Sequence, residues 1–142
     1  MHNLCYLMLW FLLSCTFFEQ GYFSEEKMNY QQYLRAQNAL EEEDFLTAIS
    51  ELKELQERTG SRAVLENLAY VYLQNQNLEE GLRLVLKHLK EHPGDFELRL
   101  MKAKLLLAME RWEEAKGDLQ IILFNQKMSV SELIQDPDLQ EY

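Results

Sequence analysis

The chain has 142 residues, 47% of them apolar, with only 2 prolines and 5 glycines. That is one domain's length, with enough apolar content for a core and few helix breakers. Lys and Arg number 14 against 24 Asp and Glu, a formal net charge of −10, so the field repels phosphate backbones and anionic lipid head groups and argues against a nucleic-acid partner.

The first residues differ from the rest. From Leu4 to Phe18 no side chain is charged, and Glu19 ends the run. As helix that stretch rises about 22 Å, short of a hydrocarbon core of about 30 Å. It reads as the apolar part of an export signal or a short anchor. Residues 1–20 are therefore expected to form a signal peptide or a membrane or lipid anchor, with 21–28 as a linker. Met1-His2-Asn3 carries no Lys or Arg, which leaves a start at Met28 and a cytoplasmic chain as the alternative. The tetrapeptide Leu12-Leu13-Ser14-Cys15 resembles the lipobox of bacterial lipoproteins. That resemblance implies lipidation at Cys15 and an exported protein, membrane-anchored or periplasmic. Leu13 is larger than the family pattern has there. The only other cysteine is Cys5, so neither a disulfide framework nor a thiolate zinc site is expected beyond this stretch.

Three later segments repeat. Phe45, Leu78 and Trp112 lie 33 and 34 residues apart, and each precedes by three a small residue: Ala48, Gly81 and Ala115. Nine residues before each large residue stand Ala36, Ala69 and Ala103. Small residues let two helices lie close, and a large residue at the start of the second helix fills the gap between them. A pair of this kind leaves one apolar face open, which the next pair covers. The spacing predicts helices over 29–42, 44–58, 62–74, 78–91, 96–109 and 112–126. Ser61 and Asp95 are placed to cap first helices. Glu79, Glu80, Glu113 and Glu114 fall in first turns, as the helix dipole favours. A seventh helix is expected after Ser129 or Ser131, ending before Pro137 and capping the last open face. The predicted organisation is three helix pairs over 29–127 and a capping helix with a tail over 128–142.

This register resembles the tetratricopeptide repeat. The second repeat carries it best, with Leu68, Ala69, Tyr72, Leu78, Gly81 and Pro93. The third has Ala103, Leu106, Trp112 and Ala115, and the first Ala36, Ala39, Phe45 and Ala48. The family's frequent Trp early in each first helix is missing; Gln32, Leu65 and Arg99 stand there. The resemblance implies an all-α fold, antiparallel helix pairs stacked as a short right-handed α-solenoid, with a concave groove lined by the first helices. Carried over, the groove positions are Tyr30, Tyr33, Gln37 and Leu40; Glu66, Tyr70, Leu73 and Gln74; and Glu97, Leu100, Lys104 and Leu107. The family's binders of C-terminal carboxylates use Lys, Arg and Asn at places held here by Tyr33, Gln37, Asn67, Glu97 and Met101. Only Asn67 fits, so a carboxylate clamp is not expected.

No Gly-rich phosphate loop is present. His88 and His92 are four apart on one predicted helix, but no third zinc ligand lies on their side. The acidic run Glu41-Glu42-Glu43-Asp44 spans a helix end and a turn, where carboxylates are solvated rather than held for acid–base chemistry. The expectation is a protein without catalysis, metal or cofactor that binds another protein or peptide segment, an adaptor at a bacterial envelope. The alternative is a small acidic chaperone of the type III secretion kind, cytosolic if Met28 is the start. A spacer role within a larger solenoid, with self-association through the C-terminal face, is a third.

Overall fold

The computed structural model describes residues 25–125 and 128–140, and every described element is helical. The expectations for residues 1–20, including lipidation at Cys15, lie outside the described residues. The helices are α1 (25–41), α2 (Phe45–Thr59), α3 (Arg62–Gln74), α4 (Leu78–Glu91), α5 (Phe96–Ala108), α6 (Trp112–Phe124) and α7 (Val130–Gln135). A 3₁₀ turn, Pro137–Leu139, closes the described chain. Residues 25–28, expected as linker, are already helical. Their sequence, Glu25-Glu26-Lys27-Met28, contains no breaker to hold them out of α1.

The turn inside each helix pair is built the same way three times. Glu43, Gln76 and Glu110 each adopt a left-handed backbone, with φ of 57°, 59° and 60°. The next amide in each case reaches back to a carbonyl of the first helix: Asp44 to Ala39, Asn77 to Tyr72 and Arg111 to Leu106. This closure satisfies helix-end carbonyls that would otherwise be unpaired. It recurs at the spacing of the sequence repeat, so the repeat is geometric as well as compositional.

Caps divide between side chain and backbone. Asp44 accepts from the Thr47 amide and Asp95 from the Leu98 amide, both at 3.1 Å. Ser129 and Glu132 form a reciprocal capping box at the start of α7. Ser61 occupies the N-cap position of α3 but makes no side-chain capping bond. Its amide instead donates to the Thr59 hydroxyl.

The pairs stack in chain order. Each helix from α2 to α5 packs on the next, and α3 also touches α5, so consecutive first helices meet. The core is accordingly divided into three apolar clusters, each shared across a pair boundary. Ala36, Ala48, Leu52, Leu68 and Val71 join α1, α2 and α3. Ala69, Val85, Leu98 and Leu105 join α3, α4 and α5. Leu82, Leu106, Leu107 and Ala115 join α4, α5 and α6. The small residues of the repeat carry this packing: Ala36, Ala48, Ala69, Ala103 and Ala115 are all 0% exposed. A Cβ on Gly81 would lie 3.0 Å from a Leu105 methyl and 3.1 Å from the Tyr72 Cβ. The glycine therefore sets how closely α4 approaches α3 and α5.

Candidate functional site: the face of the first helices

The face formed by α1, α3 and α5 divides into an open part and a covered part. On α1, Tyr30 is 59% exposed, and on α3 Tyr70 is 40% exposed. Between them the Tyr33 hydroxyl accepts a 2.9 Å hydrogen bond from the Asn67 amide. That bond fixes the two helices relative to one another and uses the one residue that matched a carboxylate clamp. Gln37 and Leu40 are half-buried, Leu40 against the first core cluster. Glu66 is paired at 2.6 Å with Arg62, and Gln74 is exposed.

Two expected groove residues are core instead. Leu73 is buried in the second cluster, and Leu107 in the third. A first helix here has a neighbour on both sides, so its free stripe is narrower than the resemblance implies. Leu73, one turn after Tyr70, already packs with α4 and with α5 of the next pair.

The C-terminal segment covers much of the α5 contribution. Lys104 Nζ lies 2.8 Å from Asp136 and 2.9 Å from Asp138, with its side chain 12% exposed. Burial works against its charge, and the hydrogen bonds to Asp136 and Asp138 outweigh it, so its pKa lies above the ordinary lysine value. Leu139 packs against the cluster that holds Leu107. Leu100 is half-buried, and the exposed Glu97 reaches Arg62 at 3.4 Å. The segment 128–140 leaves Ile121 42% and Phe124 87% exposed on α6, so the last pair is covered on α5 more than on its outer side.

A polar cluster ties the second and third pairs together. Arg62 at the start of α3 donates two 3.0 Å bonds to Asp95, the cap of α5. His88 Nε2 on α4 lies 3.0 Å from the same carboxylate. The Arg62 guanidinium holds Asp95 far below the usual carboxylate range, and Asp95 in turn raises Arg62. The His88 and His92 rings lie in tilted contact, with centroids 4.6 Å apart and planes at 37°. Among the described residues no group of three His, Cys, Asp or Glu side chains could hold a metal ion. In the third pair, Asp118 is 4% exposed between Arg99 at 3.0 Å and Lys102 at 2.7 Å, which fastens α6 to α5.

Sequence reasoning passed over these contacts, yet three of them obey the repeat. Tyr33 and Asn67, Arg62 and Asp95, and Lys104 and Asp138 are separated by 34, 33 and 34 residues. Consecutive first helices lie side by side, so residues one repeat apart stand at the same level. Searching for complementary polar residues at that spacing would have found all three.

A groove of about 810 Å³ lies on the other side, between α2 and α4, floored by Leu65, Leu68 and Tyr72. Its lining carries Lys53, Arg62, Arg83 and Lys87, with His88 and His92, against Glu57, Glu80 and Glu91. None of the described helices is long and apolar enough to cross a membrane. No family model, curated protein or solved structure matches the chain.

Proposed function

We propose that this chain is a non-catalytic adaptor of the tetratricopeptide type, which holds a segment of another polypeptide on the open face of α1 and α3. The observation that carries the reading is the exposure of Tyr30 and Tyr70 on consecutive first helices, 59% and 40%, beside the Tyr33–Asn67 pair. Tyrosine gives broad apolar contact at low entropic cost and keeps a hydrogen-bonding tip, which suits an interface. Gln37 and Glu66 supply a polar margin. With the lipobox-like stretch at Cys15, the reading extends to an exported or membrane-anchored adaptor in an envelope assembly.

The test uses the full chain. A photo-crosslinking residue at position 70 identifies the bound polypeptide, with position 53 on the opposite groove as the control. Tyr70→Ala should then weaken that complex by roughly 2 kcal/mol or more, with helix content unchanged by circular dichroism. Unaltered affinity in a folded Tyr70→Ala chain would place the partner elsewhere and end this reading.

A further inference from the structure

Lys104 and Leu107 lie on α5 where the groove of the proposed adaptor would continue. The chain's own C-terminal segment covers both. Two carboxylates, Asp136 and Asp138, flank the Lys104 ammonium at 2.8 and 2.9 Å. The next apolar side chain, Leu139, packs on the cluster of Leu82, Leu106, Leu107 and Ala115. The contact follows the repeat, since Lys104 and Asp138 are 34 residues apart, as are Tyr33 and Asn67. Residues 136–139 therefore stand level with residues 102–105, where the second half of another first helix would pack.

Yet this segment is not built like a first helix. α7 has six residues, Val130–Gln135, and the turn after it only three. Val130 and Ile134 are 59% and 66% exposed, and of α7 only Leu133 is buried. Few buried apolar groups fasten the segment, and elements of that kind open at the low end of a protein's stability range. Opening would expose the Lys104 ammonium to water and uncover the apolar cluster beside it. A segment that takes its place is favoured when it brings both chemistries, carboxylate for Lys104 and an apolar side chain for the cluster.

We propose that Asp136–Leu139 is a built-in, displaceable occupant of the α5 surface, and that this surface receives partner segments of the same kind, paired carboxylates followed by a leucine. The proposal rests on the adaptor reading and names the partner chemistry for its third pair. Charge complementarity chooses this occupant over end-to-end stacking of a second copy. In the repeat register a second copy's α1 would bring the amide of Gln37 to Lys104, with the carboxylate of Glu41 a full turn further on, in place of two carboxylates on one ammonium. A short tether holds the native segment at an effective concentration of about millimolar, so a free competitor is masked until the tether's grip is weakened.

The experiment compares the full chain with the full chain carrying Asp136→Asn and Asp138→Asn. Two labelled peptides serve as probes: one with the sequence of residues 129–142, and one with both aspartates replaced by asparagine. Fluorescence anisotropy should show the acidic peptide binding the double variant at least tenfold more tightly than the unmodified chain. The asparagine peptide should bind the double variant at least tenfold more weakly than the acidic one. Lys104→Met added to the double variant should abolish that preference. Amide exchange over 130–140 should quicken in the double variant while α3 and α4 stay protected. Unchanged exchange there would overturn the proposal, because the ion pairs would not hold the segment. Quickened exchange with equal affinity for both peptides would overturn it too, because the exposed surface would not read carboxylates. If Lys104→Met unfolds the chain, the comparison of the two peptides still decides. The probes come from this chain, so the result does not depend on the partner test at Tyr70, and either can fail alone.

Discussion

Asp95 shows how much one side chain can do in a stacked fold. It caps α5, accepts two bonds from Arg62 on α3 and faces His88 on α4, with its side chain 10% exposed. Asn also caps helices, whereas Ala does not. Asp95→Asn should therefore remove only the charged contacts, at about 1–2 kcal/mol; Arg62 is 41% exposed, so screening reduces its share. Asp95→Ala loses the cap as well and should cost about 2–4 kcal/mol. Urea denaturation of both variants checks the order. The pH dependence has a definite sign. The folded pKa of Asp95 lies below its ordinary value, chiefly through the bond to Arg62, so the unfolded chain takes up the proton first. Its stabilisation is complete at neutral pH and is lost as pH falls below about 4. Asp95→Asn should flatten that part of the acid titration of stability, and an equally steep loss in the variant would count against the assignment. In the sequence Asp95 was legible only as a cap; its tie to Arg62 needed the side-by-side placement of α3 and α5.

At the scale of elements, the turns and crossings are the sensitive places. Left-handed backbone costs a side-chain-bearing residue roughly 1–2 kcal/mol, and glycine escapes most of that cost at the price of greater freedom when unfolded. Gln76, exposed at the turn between α3 and α4 with φ 59°, should therefore gain roughly 0.5–1 kcal/mol on substitution by glycine; a lower melting temperature in Gln76→Gly would refute the turn geometry. Ala115 presents the opposite case. It is 0% exposed in the third cluster, so Ala115→Leu should overpack the crossing of α6 and cost roughly 1–3 kcal/mol, read from the shift in melting temperature. The sequence located these elements closely. α3 and α4 fall on the expected 62–74 and 78–91, and α6 ends at Phe124 rather than 126. Helix formers interrupted at a fixed interval by turns leave little choice of boundary. The one missed stretch, 25–28, lacked any apolar periodicity to announce it.

For the whole molecule, the proposed adaptor binds through the tyrosine face rather than the acidic surface, and salt separates the two. If contact at Tyr30 and Tyr70 is mainly apolar, raising salt from 0.05 to 0.5 M, chosen values of about tenfold span, should change partner affinity by less than about tenfold, because screening acts mainly on exposed charge pairs. A far steeper dependence, measured by titration at each salt, would shift attention to the carboxylates of the outer surface. The all-α class, the repeat, the burial of Ala36, Ala69, Ala103, Ala48, Gly81 and Ala115, and the stop before Pro137 were determined by the sequence by itself. Each follows from local backbone preference and from a spacing that recurs every 33 or 34 residues. Only the tertiary structure decided which first-helix residues stay open. Tyr30 and Tyr70 remain exposed, while Leu73 and Leu107 are taken into the core, since the width of the free stripe depends on how closely the neighbouring pairs approach. Tertiary packing alone also laid Asp136 and Asp138 on Lys104: a charge buried by the fold must find its partner wherever the chain next passes within reach.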